Sequence, residues 1–289
     1  MTNKEWTSQE PKKGYLMSDA TADVPQKIET EDPNYKPAGK LKGKNTIVTG
    51  GDSGIGQATA IAFAKEGANV AIVYHENDED AEKTKDRLKD LGVNVLAIKG
   101  DVGDEDFVVQ VVKEVTDEWG QIDVLVNHAG EQHVQEKIED ITAEQIDRTF
   151  RTNVYSMHYF VKAALPYLSE GSSIINTASI TAYKGKPILL DYSASNGAVV
   201  SFTRALSQHS QILDKKIRVN GVAPGPILTP MIPATFNEEQ LETWGESGAL
   251  GRPGKAYELA GAYVYLASSD SSYVSGQMIH VNGGEIING

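Results

Sequence analysis

An α/β fold built on a doubly wound parallel sheet of about seven strands, flanked by helices, is predicted by three observations. Short apolar runs alternate with amphipathic stretches through most of the 289 residues. Those runs are apolar at consecutive positions, as strands covered on both faces require. The first of them is followed at once by a glycine cluster and a helical pattern, which is the entry into a strand–turn–helix unit.

Residues 1–40 are polar and punctuated by Pro11, Pro25, Pro33 and Pro37, so they are expected to form an extended arm. Trp6 and Tyr15 are the side chains that would pin it to the body or to another subunit. Residues 41–289 form the expected folded domain, with a substrate loop at about 226–250. Its first strand is Asn45–Thr49. Gly50, Gly51, Gly54 and Gly56 then make a tight turn, and a helix follows to Lys65, packed by Ile55, Ala58, Ala62 and Phe63. Gly67 ends it, and Asn69–Tyr74 is the second strand. A polar helix over 78–91 leads to a third strand over 93–99. Asp104 caps a helix to about residue 118, and 122–126 is the fourth strand. One long helix is expected over 143–168, a fifth strand over 173–178, a helix over 192–213 and a sixth strand over 217–222. Pro224-Gly225-Pro226 breaks the chain sharply. A loop over 227–251, a helix over 255–267 and a last strand over 277–281 complete the alternation.

Composition excludes several classes. The formal net charge is −13, against nonspecific binding to nucleic acid or anionic membranes. There is no cysteine, hence no disulfide framework or cysteine nucleophile. The six histidines are scattered without a ligand pattern, so no metal is expected. No bilayer-length apolar run or apolar signal core occurs, and a cytoplasmic location is expected.

Glycines at such a turn let the backbone reach a pyrophosphate, with free N–H groups and the positive helix end facing its charge. The turn residues Gly50, Asp52, Ser53, Gly54, Ile55 and Gly56 are therefore candidate dinucleotide contacts. In an open parallel sheet, ligands bind beyond the carboxyl ends of the strands. Tyr74 and His75, Asp101 and Val102, Asn127 with Ala129 and Gly130, and Ser179 end successive strands and could line one crevice. Asp101 is a candidate acceptor for the adenine amino group, with a structural role as its alternative. Cofactor choice should turn on the end of the second strand. Neutral Tyr74 there favours NADP, and Glu76 two residues on opposes it, so NAD and NADP both stay open.

Ser179 follows the fifth strand, and Tyr192 lies thirteen residues later. A phenol beside a hydride-transfer centre exchanges a proton with the substrate oxygen, provided a positive neighbour lowers its ordinary pKa of about 10. Asn153 falls inside the long helix, where it could organise a water relay or simply bend the helix. Asn196, one turn after Tyr192, occupies the place where a lysine would supply the charge. Asparagine offers hydrogen bonds alone. Lys184 and Lys186 are the nearest replacement cations in sequence. Tyr183, Leu189, Leu190, Ile232, Phe236 and Trp244 offer an apolar substrate lining, some of them simply packing the lid.

With these residues, the chain closely resembles the short-chain dehydrogenase/reductases over about residues 41–289. TGGDSGIG at 49–56 is similar to their cofactor loop, and NHAG at 127–130 to their NNAG. Asn153, Ser179 and Tyr192 fall where the family places its catalytic asparagine, serine and tyrosine. YSASN departs from YxxxK at Asn196, and His128 replaces the second asparagine of NNAG. PGPILT at 224–229 resembles the segment that closes on nicotinamide, which implies contacts from Pro224, Gly225, Ile227 and Thr229. The arm and SGQMIHVNGG at 275–284 resemble a bacterial general-stress-protein or aldehyde-reductase-like subgroup. The resemblance implies a Rossmann-like homotetramer that reduces small carbonyl compounds or oxidises alcohols with NAD(H) or NADP(H). A catalytically silent dinucleotide-binding or scaffold protein is the alternative raised by Asn196.

Overall fold

Strand β1 (Asn45–Thr49) is buried along its whole length, and its side chains divide between two cores. Val48 faces one with Val70, Ile72, Val124 and Val126. Ile47 faces the other with Ala71, Val73 and Leu125. This two-residue period with both faces covered is why the strands are apolar throughout. The computed structural model describes residues 28–236, 241 and 244–287. Trp6 and Tyr15 lie outside the described residues.

The remaining strands of the main sheet are β2 (Asn69–Tyr74), β3 (Val95–Lys99), β4 (Ile122–Asn127), β5 (Leu168–Thr177), β6 (Arg218–Pro224) and β9 (Met278–Val281). The order is β3-β2-β1-β4-β5-β6-β9, with every pairing parallel. Chain direction across the sheet reverses between β1 and β4, and a crevice opens there beyond the carboxyl ends. Helix α1 (Gly54–Lys65) and the C-terminal α10 (Tyr257–Ala267) cover one face. Helices α3 (Glu105–Trp119) and α5 (Ser156–Ala164) cover the other. Helix α2 (Asp78–Asp90) is capped by Asn77, and Asp104 caps α3 through the Asp106 N–H, as its sequence position predicts. A separate two-strand ladder joins β7 (Ile227–Leu228) to β8 (Gly254–Lys255).

Two expected helices differ. The stretch 143–168 is not one α-helix. It runs as α4 (Ala143–Phe150), a π turn (Arg151–Tyr155), α5, and a 3-10 turn (Leu165–Tyr167) with Pro166 at its second position. Strand β5 then starts at Leu168, five residues before the expected 173. The stretch 192–213 starts earlier, as α7 (Leu190–Leu206), and breaks before α8 (Ser210–Asp214). The Ser207 hydroxyl turns back to the Arg204 carbonyl at 2.9 Å, satisfying that carbonyl outside the helix ladder. Two short helices, α6 (Thr181–Lys184) and α9 (Met231–Thr235), flank the crevice.

Residues 28–40 contain neither helix nor strand, and they are docked by polar contacts. Glu31 pairs with Lys65 and Arg87. The carboxylate of Glu66, 1% exposed, accepts from the Tyr35 hydroxyl at 2.6 Å and the Lys40 N–H at 2.7 Å.

Candidate active site

The glycine turn is fixed by geometry that other residues cannot supply. Gly50 and Gly54 sit at φ +64° and +52°, in the left-handed region. A Cβ on Gly56 would stand 1.9 Å from the Gly50 carbonyl oxygen. The turn delivers the amino end of α1 to the crevice, a place suited to an anion. The Thr49 hydroxyl ties this turn to the next wall, accepting from His128 N at 2.8 Å and Ala129 N at 2.9 Å. Across the crevice, a Cβ on Gly54 would lie 3.1 Å from the Thr229 side chain, so the 224–229 segment closes directly over the helix end. Gly225 is pressed on Asn282, with no space for a Cβ.

One cavity runs from this turn to Tyr192. Gly50, Asp52, Ser53, Gly54 and Ile55 line one end of it. Ala129, Gly130, Pro224, Gly225, Ile227 and Thr229 form the middle, and Asn153, Ser179, Tyr192 and Asn196 the far end. Gly56 lies beneath the turn. Tyr74, His75, Asp101, Val102 and Asn127 are not part of its lining. The side chain of Val102 packs in the core. Asp101 is held by Arg148 and by the Gly103 N–H at 2.8 Å. The Tyr74 hydroxyl donates to Asp78 at 3.0 Å, and His75 stands 3.6 Å from Glu76. Asn127 donates to Asn176 at 2.9 Å, and its own side-chain oxygen is buried without a partner among the described residues. His128 replaces an asparagine without a buried charge. Burial pushes it down to about 4, and its ring bonds Thr177 at 3.2 Å.

At the far end, the side chains of Ser179 and Asn196 stand beside the Tyr192 phenol. Burial raises its pKa above the ordinary phenol value; those two neutral side chains oppose the rise, and among the described residues no cation does. Asn196 also donates to the Tyr192 carbonyl at 2.8 Å. Lys184 is paired with Glu285, and Lys186 lies on the cavity wall. Asn153 sits in the π turn and clamps the chain after Gly130. Its oxygen accepts from Glu131 N at 2.9 Å, while its amide donates to Glu131 O at 3.0 Å and Ser195 Oγ at 3.1 Å. π turns accommodate such local departures at functional sites. Of the expected apolar lining, Leu189, Ile232, Phe236 and Trp244 face the cavity. Tyr183 meets His280 edge to face instead, and Leu190 is exposed.

Sequence reading missed two charged groups here, Arg148 and Glu285, and the protonation state of a third. Arg148 bridges Asp101 and Glu131, linking two strand ends. Glu285 reaches the cavity from beyond the last strand, with no local motif to mark it. Asp52 was expected as a cofactor contact, but not as a strained carboxyl. Burial, reinforced by Asp80, pushes it up to about 6, against its own backbone N–H and the Ser53 hydroxyl. Because the folded carboxyl holds its proton more tightly than an unfolded one, stability falls as pH rises from about 4 to about 6. The loss is on the order of 3 kcal/mol. Asp52→Asn should remove it, gaining stability over the parent at pH 7.5 but not at pH 4 in urea unfolding. Equal differences at the two pH values would contradict this.

Comparisons with known proteins follow this geometry. A sequence profile described as enoyl-(acyl carrier protein) reductase matches residues 50–285. General stress protein 39 of Bacillus subtilis is 54% identical over 88% of this chain and 88% of its own. NADPH-dependent aldehyde reductase 1, chloroplastic, of Arabidopsis thaliana is 47% identical over 88% of this chain and 90% of its own. Among solved structures, a short chain dehydrogenase from Burkholderia cenocepacia in complex with NADP superposes with a TM-score of 0.80. It shares 31% identity, over 85% of this chain and 99% of that one. With its seven-stranded parallel sheet and these relatives, the chain belongs to the short-chain dehydrogenase/reductase family.

Proposed function

We propose that this protein is an NAD(P)-dependent oxidoreductase of small carbonyl compounds and alcohols, with Tyr192 as the proton donor and acceptor. The observation that carries the reading is the continuity of one cavity from the glycine turn to the Ser179–Tyr192–Asn196 cluster. The cradle that a Cβ at Gly56 would fill, and the open amino end of α1, fit a dinucleotide pyrophosphate. Gly50, Asp52, Ser53, Gly54, Ile55, Ala129, Gly130, Ile227 and Thr229 would hold the cofactor. Tyr74, His75, Asp101, Val102 and Asn127 are retained as contacts beyond the cavity, toward the adenosine end. Nicotinamide, when bound, gives or takes the hydride.

The protein's own part is the proton. Ser179 Oγ, which accepts from the Thr181 N–H at 3.1 Å, is placed to hold the substrate oxygen beside the phenol. In reduction the Tyr192 hydroxyl gives its proton to that oxygen; in oxidation the phenolate takes it. Asn153 acts by position, since its amide fixes Glu131 and Ser195. NADP is favoured by the likeness to the NADPH-dependent aldehyde reductase and to the Burkholderia complex with NADP, while Asp52, Glu76 and Asp78 near the second strand's end favour NAD.

A second reading is a silent dinucleotide-binding or scaffold protein, which the uncharged Asn196 favours. Nicotinamide absorbance across aldehydes, ketones and alcohols, with NAD(H) and NADP(H) titrations, separates the two. Tyr192→Phe is expected to abolish turnover, at least about 100-fold, and to leave cofactor affinity within about threefold. Retained turnover in the phenylalanine variant would remove Tyr192 from this role. The reading includes a homotetramer, an arm over 1–40 and a domain over 41–289, and a cytoplasmic location. Among the described residues, no helix is long and apolar enough to cross a membrane. Light scattering on the purified protein tests the tetramer.

A further inference from the structure

The stretch 29–40 is fastened at one end to the helices that flank the second strand. Glu66, the residue that ends α1, accepts from Ala38 N at 3.1 Å besides Tyr35 and Lys40. Glu31 lies 2.7 Å from Lys65 Nζ, at the end of α1, and takes two nitrogens of Arg87, in the last turn of α2, at 2.7 and 3.0 Å. The Arg87 guanidinium, helped by Lys65 and opposed by burial, holds the Glu31 carboxyl down to about 2. These pairs are therefore charged at neutral pH.

At its other end the stretch meets a different part of the molecule. The Glu29 carboxylate pairs with Lys255 Nζ at 2.7 Å, and the Glu29 carbonyl accepts from Tyr257 N, the first residue of α10, at 3.4 Å. Gly254 and Lys255 are the whole of β8, and they face Ile227 and Leu228 of β7. Thr229 follows, with its side chain 3.1 Å from where a Gly54 Cβ would stand. Lys255, Leu228 and Thr229 thus lead in three steps from Glu29 to the glycine turn. A two-residue ladder is marginal by itself, so its outer contacts decide how firmly it is held. Within the domain, Glu258 accepts from Lys255 N at 2.8 Å and pairs with Arg252. Glu29 joins the same ladder to the helices behind Glu31.

The geometry points to a strap: residues 29–35 tie the 224–229 segment, through β8, to α1 and α2, so that Glu29 and Lys255 position the closed segment and slow the release of a bound dinucleotide. This rests on the proposed function for the identity of the ligand. A covering segment must open before its ligand leaves, and whatever holds it shut acts on the dissociation rate. Both are positioning residues, since neither lines the cavity.

The test measures release of NADH and NADPH from the full chain by stopped-flow fluorescence, and amide exchange of the chain alone by mass spectrometry. Glu29→Lys sets two ammonium groups against each other and is expected to speed release by about three- to fivefold, the size that exposed ion pairs reach. Amide exchange at 227–229 and 254–257 should quicken by a similar factor, while exchange at 45–49 stays as in the parent. In a Lys255→Gln background the same substitution should change release by less than about twofold, because its partner is gone. Thermal unfolding reports that each variant folds. An unchanged release rate in a folded Glu29→Lys protein overturns the inference, and so does an equal effect in the Lys255→Gln background. A parent that binds neither dinucleotide counts against the proposed function. The exchange rates of the chain alone then still decide whether the strap holds the ladder: quickened in Glu29→Lys they support it, unchanged they overturn it.

Discussion

Asn196→Lys is expected to raise turnover at pH 7 by about 100-fold or more and to leave dinucleotide affinity of the same order. The phenol of Tyr192 is pushed upward by burial and is restrained only by neutral partners, Ser179 and Asn196. An ammonium about 5 Å away, at an effective dielectric constant of about 20, would favour the phenolate by roughly 3 kcal/mol, or about two pKa units. Asn196 borders the cavity, so a longer side chain can extend into open space. The sign is definite. Alcohol oxidation needs the phenolate, so its rate rises with pH toward the Tyr192 pKa, and lysine should move that rise to lower pH. Rate–pH profiles of parent and variant, with Tyr192→Phe added to the variant as a control, measure the shift. A parent as fast as the variant, with the same pH limb, would mean that this phenol is activated by other means.

Gly56→Ala should have the largest effect on cofactor affinity. The added methyl would meet the Gly50 carbonyl oxygen at 1.9 Å and the Gly50 carbonyl carbon at 2.7 Å, and both are backbone. The turn must open by more than 1 Å to relieve this, which separates the N–H groups that face the anion site. NAD and NADP binding should be lost at millimolar concentrations, and folding stability should drop by about 3 kcal/mol or more. Gly261→Ala is the contrasting case. Gly261 lies in α10, is exposed, and has open space where a Cβ would go. Alanine there should stabilise by about 0.5–1 kcal/mol. Isothermal titration and urea unfolding of both variants check the pair, and a Gly56→Ala protein that binds normally would refute the steric account.

What the sequence discloses follows from the range of the interactions involved. Strands β1 to β4 and helix α1 were legible because burial on both faces leaves continuous apolar runs, and because the glycine turn admits few other residues. Asp104 and Gly67 were legible as caps for the same local reason. The long stretch from Ala143 was read as one helix, since a π turn keeps helical composition and is selected by distant partners, Glu131 and Ser195, that hold Asn153. Which of the six apolar candidates line the cavity was not legible, Tyr183 and Leu190 lying off it, because composition marks a segment as apolar but not the neighbour each side chain meets. Glu285 carries no local signal at all. Its place on the cavity wall depends on Asn282 meeting Gly225, two positions 57 residues apart.

The π turn at Arg151–Tyr155 has a consequence for sequence length. It holds one residue more than a regular turn, so α4 and α5 are out of phase by about 100°. Deleting one residue there would give an unbroken helix and rotate one half against the other. Either Asn153 would swing away from Glu131, or Phe160, Val161 and Ala164 would leave the core. The surplus residue reconciles two helical phases, one set by the cavity and one by the sheet, and a homologue lacking it would have to surrender one of them.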